Sequence, residues 1–153
     1  MRRRLRTQDR LRHNDPTNGA LLCPLCNTQL DSHDHLFFEC LFSFQVWDSL
    51  KVFAGLTNIP SSLEDVIHHL TPMASSRSVR SVVSKLLLAA ASYYIWQERN
   101  NRIFKQQRRS ESQVIDVIKS TVRLKLFTCR FKRRANVLSF LRVWRVPTSL
   151  MHS

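Results

Sequence analysis

Apolar residues along the chain recur mainly at three- and four-residue spacing, the period of a helix face. Leu36, Phe37, Cys40, Leu41, Phe44, Trp47 and Leu50 follow it and predict a helix over about 34–53, capped by Ser32 or Asp34. "GLTNIPSS" ends that helix, and "SLEDVIHHL" predicts a short one with Ser61 or Ser62 as cap. Residues 77–107 read as one long helix, with Val79, Val82, Val83, Leu86, Leu87, Ala90, Tyr93 and Tyr94 along its apolar stripe. After the break at "QRRSES", Ser110 and Gln113 match a capping box for a helix over 112–134, with Val114, Val117, Ile118 and Thr121 on one face. "NVLSFLRVW" predicts a last short helix before Pro147. At the other end Thr7 is a cap for "QDRLR", and "HNDPTNGA" reads as a loop. Strand alternation is weak throughout. The expected fold class is all-α, a small helical domain with a metal-stapled corner near its start.

Composition agrees with a folded chain. Its 153 residues fit one domain, and 43% hydrophobic against 23% charged residues argues against wholesale disorder. A chain of this size buries about 70% of its unfolded surface. The longest uncharged apolar run, Leu86 to Gln97, is too short to span a bilayer, so no membrane association is expected. "MRRRLRTQDRLR" has no apolar stretch behind its charges and does not read as a secretory signal. With only two glycines, Gly19 and Gly55, neither a P-loop nor a dinucleotide-binding glycine motif can be built.

The charge is uneven. Residues 1–12 hold six Arg and one Asp, net +5; residues 13–76 hold one Lys and seven acids, net −6; residues 77–153 hold seventeen basic residues and three acids, net +14. The acidic middle contains three of the four cysteines. The basic ends are where a polyanion would be attracted first. Arg2, Arg3, Arg4 and Arg6 form a basic arm, and Arg123, Lys125, Arg130, Lys132, Arg133 and Arg134 form a second cluster interleaved with Phe127 and Phe131. Basic residues among aromatics can hold phosphates and stack bases, so RNA or DNA is the expected partner. The plainer alternative is a solvated basic helix face.

"CPLCNTQLDSHDHLFFEC" carries the clearest chemistry. Four cysteines without a secretory signal indicate a reducing compartment, nucleus or cytoplasm, and crowding three of them beside histidines is metal rather than disulfide arithmetic. Cys23-x2-Cys26-x8-His35-x4-Cys40 supplies the four soft or borderline ligands of tetrahedral Zn²⁺. A closed set of this kind leaves no open position, so the ion would be structural. His33 is the rival for the third position; His35 is preferred because it abuts the apolar helix. His35 and Cys40 are five apart and meet a common ion if the helix start is distorted or if His35 sits at its N-terminus. Cys129 reads as an ordinary buried thiol, and His68–His69 as a polar helix end. A zinc deaminase needs His-x-Glu ahead of Pro-Cys-x-x-Cys, which is lacking here, as is His-Glu-x-x-His.

"TQDRL", "CPLC", "DSHDHLFFECLFSFQVWDSL" and "IWQERNNRIF", in that order over about residues 5–105, resemble the zinc-binding domain of plant reverse transcriptases of LINE-type (non-LTR) retroelements and of stand-alone genes derived from them. The resemblance implies Cys23, Cys26, His35 and Cys40 as zinc ligands and an ancestral place beside a retroelement polymerase. The family has Glu where this chain has Asp31, and its domain begins further upstream. The implied organisation is a basic arm and loop at 1–22 that is the truncated start of the domain, a zinc-binding helical domain at 23–105, and a basic helical extension at 106–153. There is no Tyr-x-Asp-Asp polymerase motif, so no enzymatic activity is expected. Within "IWQERNNRIF", Arg99 and Arg102 offer a phosphate-contacting helix end. The favoured reading is packing, with Trp96, Ile103 and Phe104 set against the Trp47 helix.

Overall fold

A left-handed residue at Asn27 lets the chain double back directly after Cys26, and the elements that follow the Leu30 bridge are chiefly helices. Asparagine tolerates this conformation better than most side chains. The computed structural model describes residues 21–58, 63–73, 75–147 and 149. Thr7 and His13, the loop before Leu21, and Ser61 and Ser62 lie outside them. Within the described residues there is no strand; an isolated antiparallel bridge between Leu22 and Leu30 closes the Cys-x-x-Cys turn, and Lys132 also takes a bridge position. The all-α expectation is met.

A single π-helical turn, His35–Glu39, follows the bridge and leads into α1, Leu41–Lys51. Ser32 is the residue that caps this entry: its Oγ accepts from His35 N at 3.1 Å. A 3₁₀ turn, Val52–Ala54, stops at Gly55, whose φ of 69° suits glycine; an added Cβ would also stand 3.3 Å from the Phe140 ring. Then come α2 (Leu63–Leu70), a 3₁₀ turn (Thr71–Met73), α3 (Val79–Phe104), α4 (Glu111–Phe127) and α5 (Ala135–Val143). The long α3 packs chiefly on α4, and α1 lies against both. Their shared core holds Val46, Trp47 and Leu50 from α1, Val83, Leu87, Ala91 and Ile95 from α3, and Val114, Ile118, Val122 and Leu126 from α4.

The predicted helix over 34–53 is interrupted. Cys40 leaves helical geometry (φ −68°, ψ 126°), and its N–H closes the π turn on His35 O at 2.8 Å. The extra residue of that turn shifts the helical phase. Phe42, Ser43 and Val46 are therefore buried, whereas Leu41 and Phe44, predicted for the inward stripe, are 62% and 45% exposed.

The stripe of α3 is also rotated from its expected place. The buried line runs through Ser84, Leu87, Ala91, Ile95 and Glu98, and Tyr93 is exposed. Apolar residues occupy every side of Leu86–Trp96, so the sequence there carries little phase information. Two of the buried serines satisfy their hydroxyls on backbone: Ser92 Oγ donates to Leu88 O at 2.8 Å and Ser81 Oγ to Met73 O at 2.9 Å, whereas Ser84 Oγ has no partner among the described residues.

The capping box of α4 is present, with Ser110 and Gln113 bonded reciprocally. The helix ends at Phe127, not 134. Thr128 and Cys129 tighten its last turn onto Lys125 O and Leu126 O. Arg130–Arg134 form a linker, and α5 starts after Arg134. The second basic cluster therefore does not lie on a continuous helix face. Cys129 is half-buried rather than fully buried. His68 and His69 are exposed in the last turn of α2, as expected.

Candidate metal centre

The Cys-x-x-Cys turn is built by backbone bonds from Cys23 N to Gln29 O (2.7 Å), Asn27 N to Cys23 O (2.8 Å) and Asp31 N to Leu21 O (3.0 Å). It presents Cys23 and Cys26 to the π turn, which carries His35 at its start and Cys40 just beyond its end. An i→i+5 bond places residues five apart over one another, so this turn is the distortion that a His-x4-Cys pair needs.

One ligand atom from each of Cys23, Cys26, His35 and Cys40 lies within 4.8 Å of the others. Cys26 Sγ is 3.2 Å from His35 Nε2, and Cys23 Sγ is 4.0 Å from Cys40 Sγ. With Zn–S bonds of about 2.3 Å, the edge of a sulfur tetrahedron is about 3.8 Å, so the cluster has nearly the dimensions of an occupied site. Cys23, His35 and Cys40 are buried and Cys26 is half-buried.

The electrostatics match that purpose. The Cys23 thiol is pushed well up, first by its hydrogen bond to Cys40 and then by burial. Cys40 is held below the ordinary thiol range because Cys23 donates to it. Cys23 is thus the sulfur that holds its proton more tightly, and a divalent cation bound by both sulfurs would displace it. His35 Nδ1 is buried with no hydrogen-bond partner among the described residues, and Glu39 Oε2 stands 3.8 Å from it. His33 lies apart from the four ligand atoms. It is buried, its ring packs on Phe37 (centroids 5.0 Å apart), and its Nδ1 is 3.3 Å from Asp34 Oδ1.

Two arginines of α3 hold this corner. The Arg99 guanidinium forms a fork with Asp31, through Nε to Oδ1 at 3.0 Å and through Nη2 to Oδ2, and both side chains are almost fully buried. Arg102 Nη1 donates to Pro24 O and Leu25 O at 3.1 Å each, inside the Cys-x-x-Cys turn itself. Its Nε donates to Glu98 Oε1 at 2.8 Å, and its guanidinium lies 4.8 Å from the centre of the Phe42 ring. Glu98 Oε1 also accepts from Arg109 N at 2.8 Å. The phosphate-contacting reading of Arg99 and Arg102 is therefore overturned: both are spent inside the protein. The packing reading holds for Trp96, which lies half-buried against the core, but not for Phe104, which is 73% exposed. Sequence reasoning missed that the arginines of "IWQERNNRIF" complete the corner. The signal available was an acid, Asp31, between the ligands.

The basic residues are scattered. Arg2, Arg3, Arg4 and Arg6 lie outside the described residues. Arg123 borders a cavity of about 370 Å³ with Lys119, Arg145 and Asp116. Lys125 edges an apolar groove between α3 and α4. Arg130, Lys132 and Arg134 meet at a third cavity, and Arg133 is exposed beside them.

Residues 1–47 match the model of a family described as zinc-binding in reverse transcriptase. The match takes in all four clustered residues and ends within α1, short of the expected extent to about residue 105. No curated protein and no solved structure matches the chain.

Proposed function

We propose that this chain is a non-catalytic zinc-binding module of LINE-type, plant retroelement ancestry, which binds RNA or DNA with low sequence specificity through its basic residues. The carrying observation is the closed Cys₃His cluster of Cys23, Cys26, His35 and Cys40 inside the stretch that matches the zinc-binding family model. These four residues would hold the ion, which when bound supplies a rigid cross-link between the Cys-x-x-Cys turn and the helical core. All four positions are filled by protein, which suits a structural ion. Nucleic-acid binding is supported by the +14 of residues 77–153, whose cations are largely exposed along α4, the linker and α5. A nuclear or cytoplasmic location and a retroelement polymerase as neighbour belong to the same reading.

Two measurements test it. Metal analysis of purified protein should give about one zinc per chain, and Cys26→Ser protein should lose it. Affinity for single-stranded RNA should fall steeply with salt, with a slope of about 0.7 per phosphate contacted; a flat salt response would sink the nucleic-acid part.

A second reading, a protein-interaction module, has the apolar groove of α3 and α4 in its favour. Leu86, Ala90, Tyr93, Tyr94 and Leu124 line it, and Tyr93 and Leu124 are exposed. Alanine substitution at Arg130–Arg134 separates the two: loss of nucleic-acid binding supports the first, indifference the second.

A further inference from the structure

The linker between α4 and α5 folds back beside the start of α3 and encloses a cavity of about 490 Å³. Arg130, Lys132 and Arg134 border it from the linker, and Arg77 borders it from more than fifty residues earlier in the chain. Among the described residues no acidic one lines it, and none of the four cations forms an ion pair. Four cations held around one concavity repel one another at a cost that an anion removes. Two helices also begin here: Val79 opens α3 behind its cap Ser78, and Asn136 lies in the first turn of α5. Ser78 Oγ accepts from Ser81 N and Asn136 Oδ1 from Val137 N, so what the two helix starts add to this cationic wall is chiefly the positive ends of their dipoles. Phe131 supplies an apolar surface within the same cavity.

We infer that this cavity is a discrete phosphate-binding site, which grips a phosphodiester of a single nucleic-acid strand through Arg77, Arg130, Lys132 and Arg134. Arg77 belongs to neither basic cluster of the sequence, and the fold alone brings it to the site. The site rests on the nucleic-acid reading for the source of its phosphate. Without a strand, the same groups would take a free polyphosphate.

The test uses zinc-loaded full-length protein and a labelled single-stranded oligonucleotide. Arg77→Glu and Arg134→Glu should each weaken binding about tenfold and flatten the salt dependence. Arg108→Glu, an exposed arginine in another loop, carries the same charge change and should alter affinity less than about twofold. Helicity and zinc content verify that each variant is folded, and Arg77→Gln repeats the test without a reversed charge. Equal losses from all three reversals would mean diffuse attraction and overturn the site, as would an unchanged Arg77→Glu protein. If wild-type protein binds no strand, the nucleic-acid reading fails by itself, and inorganic pyrophosphate then decides the site. Saturable amide shifts at Val79 and Asn136 that vanish in Arg77→Glu would sustain it, and their absence in wild type would overturn it.

Discussion

Asp31 and Arg99, 68 residues apart in the chain, form a buried bidentate ion pair beside the Cys/His cluster. Removing either partner takes the bidentate counter-charge from the other. Arg99→Met or Asp31→Ala should therefore cost about 3–5 kcal/mol, because removing one partner of a buried pair strands its mate. An Asp31→Leu, Arg99→Met double variant should recover most of that loss. Urea unfolding of the zinc-loaded proteins measures all three. Additive losses in the double variant would show that the pair is not what holds the two segments together.

Arg102 acts on the cluster from behind. Its Nη1 holds Pro24 O and Leu25 O, so it sets the angle at which Cys23 and Cys26 are presented. Removing a group that orients metal ligands typically lowers affinity about 10–100-fold. Arg102→Ala should show that drop in a competition titration with a chromophoric chelator, with helicity retained. Unchanged affinity would restrict Arg102 to tying Glu98 and the Arg109 backbone together.

Chelation and acid should act on the same element. Stripping the metal leaves Cys23 protonated against Cys40, because the shared hydrogen bond and burial hold the first thiol up and the second down. Loading a divalent ion must expel that proton, so metal affinity should fall as pH is lowered. Proton release on zinc addition, followed in weakly buffered solution, measures it directly. Hydrogen exchange in the metal-free protein should rise first in the Cys-x-x-Cys turn and the π turn, ahead of α3 and α4.

Two substitutions remote from the metal calibrate the scaffold. Leu87→Ala empties a fully buried position of α3 and should cost about 2–5 kcal/mol. Ser110→Ala removes one half of the α4 capping box and should cost about 1 kcal/mol. Denaturation midpoints at constant m-value check both. Similar costs at the two sites would contradict a core centred on Leu87.

The sequence revealed most where chemistry is local. The clustering of Cys23, Cys26, His35 and Cys40, the Ser110–Gln113 cap and the existence of each described helix were legible because each depends on neighbours within a turn or two. Helical phase was not. The π turn at His35–Glu39 adds one residue that no apolar pattern reports, and it turned Leu41 and Phe44 outward. In α3, apolar side chains on all sides hid which line was buried. The end of α4 was overrun because arginine and lysine are good helix formers, whereas the chain there turns to bring the linker back over α3. Arg99 and Arg102 found their partners, and Arg77 its neighbours Arg130, Lys132 and Arg134, far away in sequence, which spacing cannot reveal.

The bonds from Arg99 and Arg102 also separate two boundaries that are easily equated. The family match stops at Trp47, yet Asp31 finds its counter-charge, and Pro24 and Leu25 their donors, near the far end of α3. A peptide cut at the limit of similarity would keep every metal ligand. It would lack the Arg99 guanidinium that forks onto Asp31 and the Arg102 donor to Pro24 O and Leu25 O. The stretch that carries the Cys/His cluster and the stretch that carries the groups bracing it are therefore different lengths of the same chain.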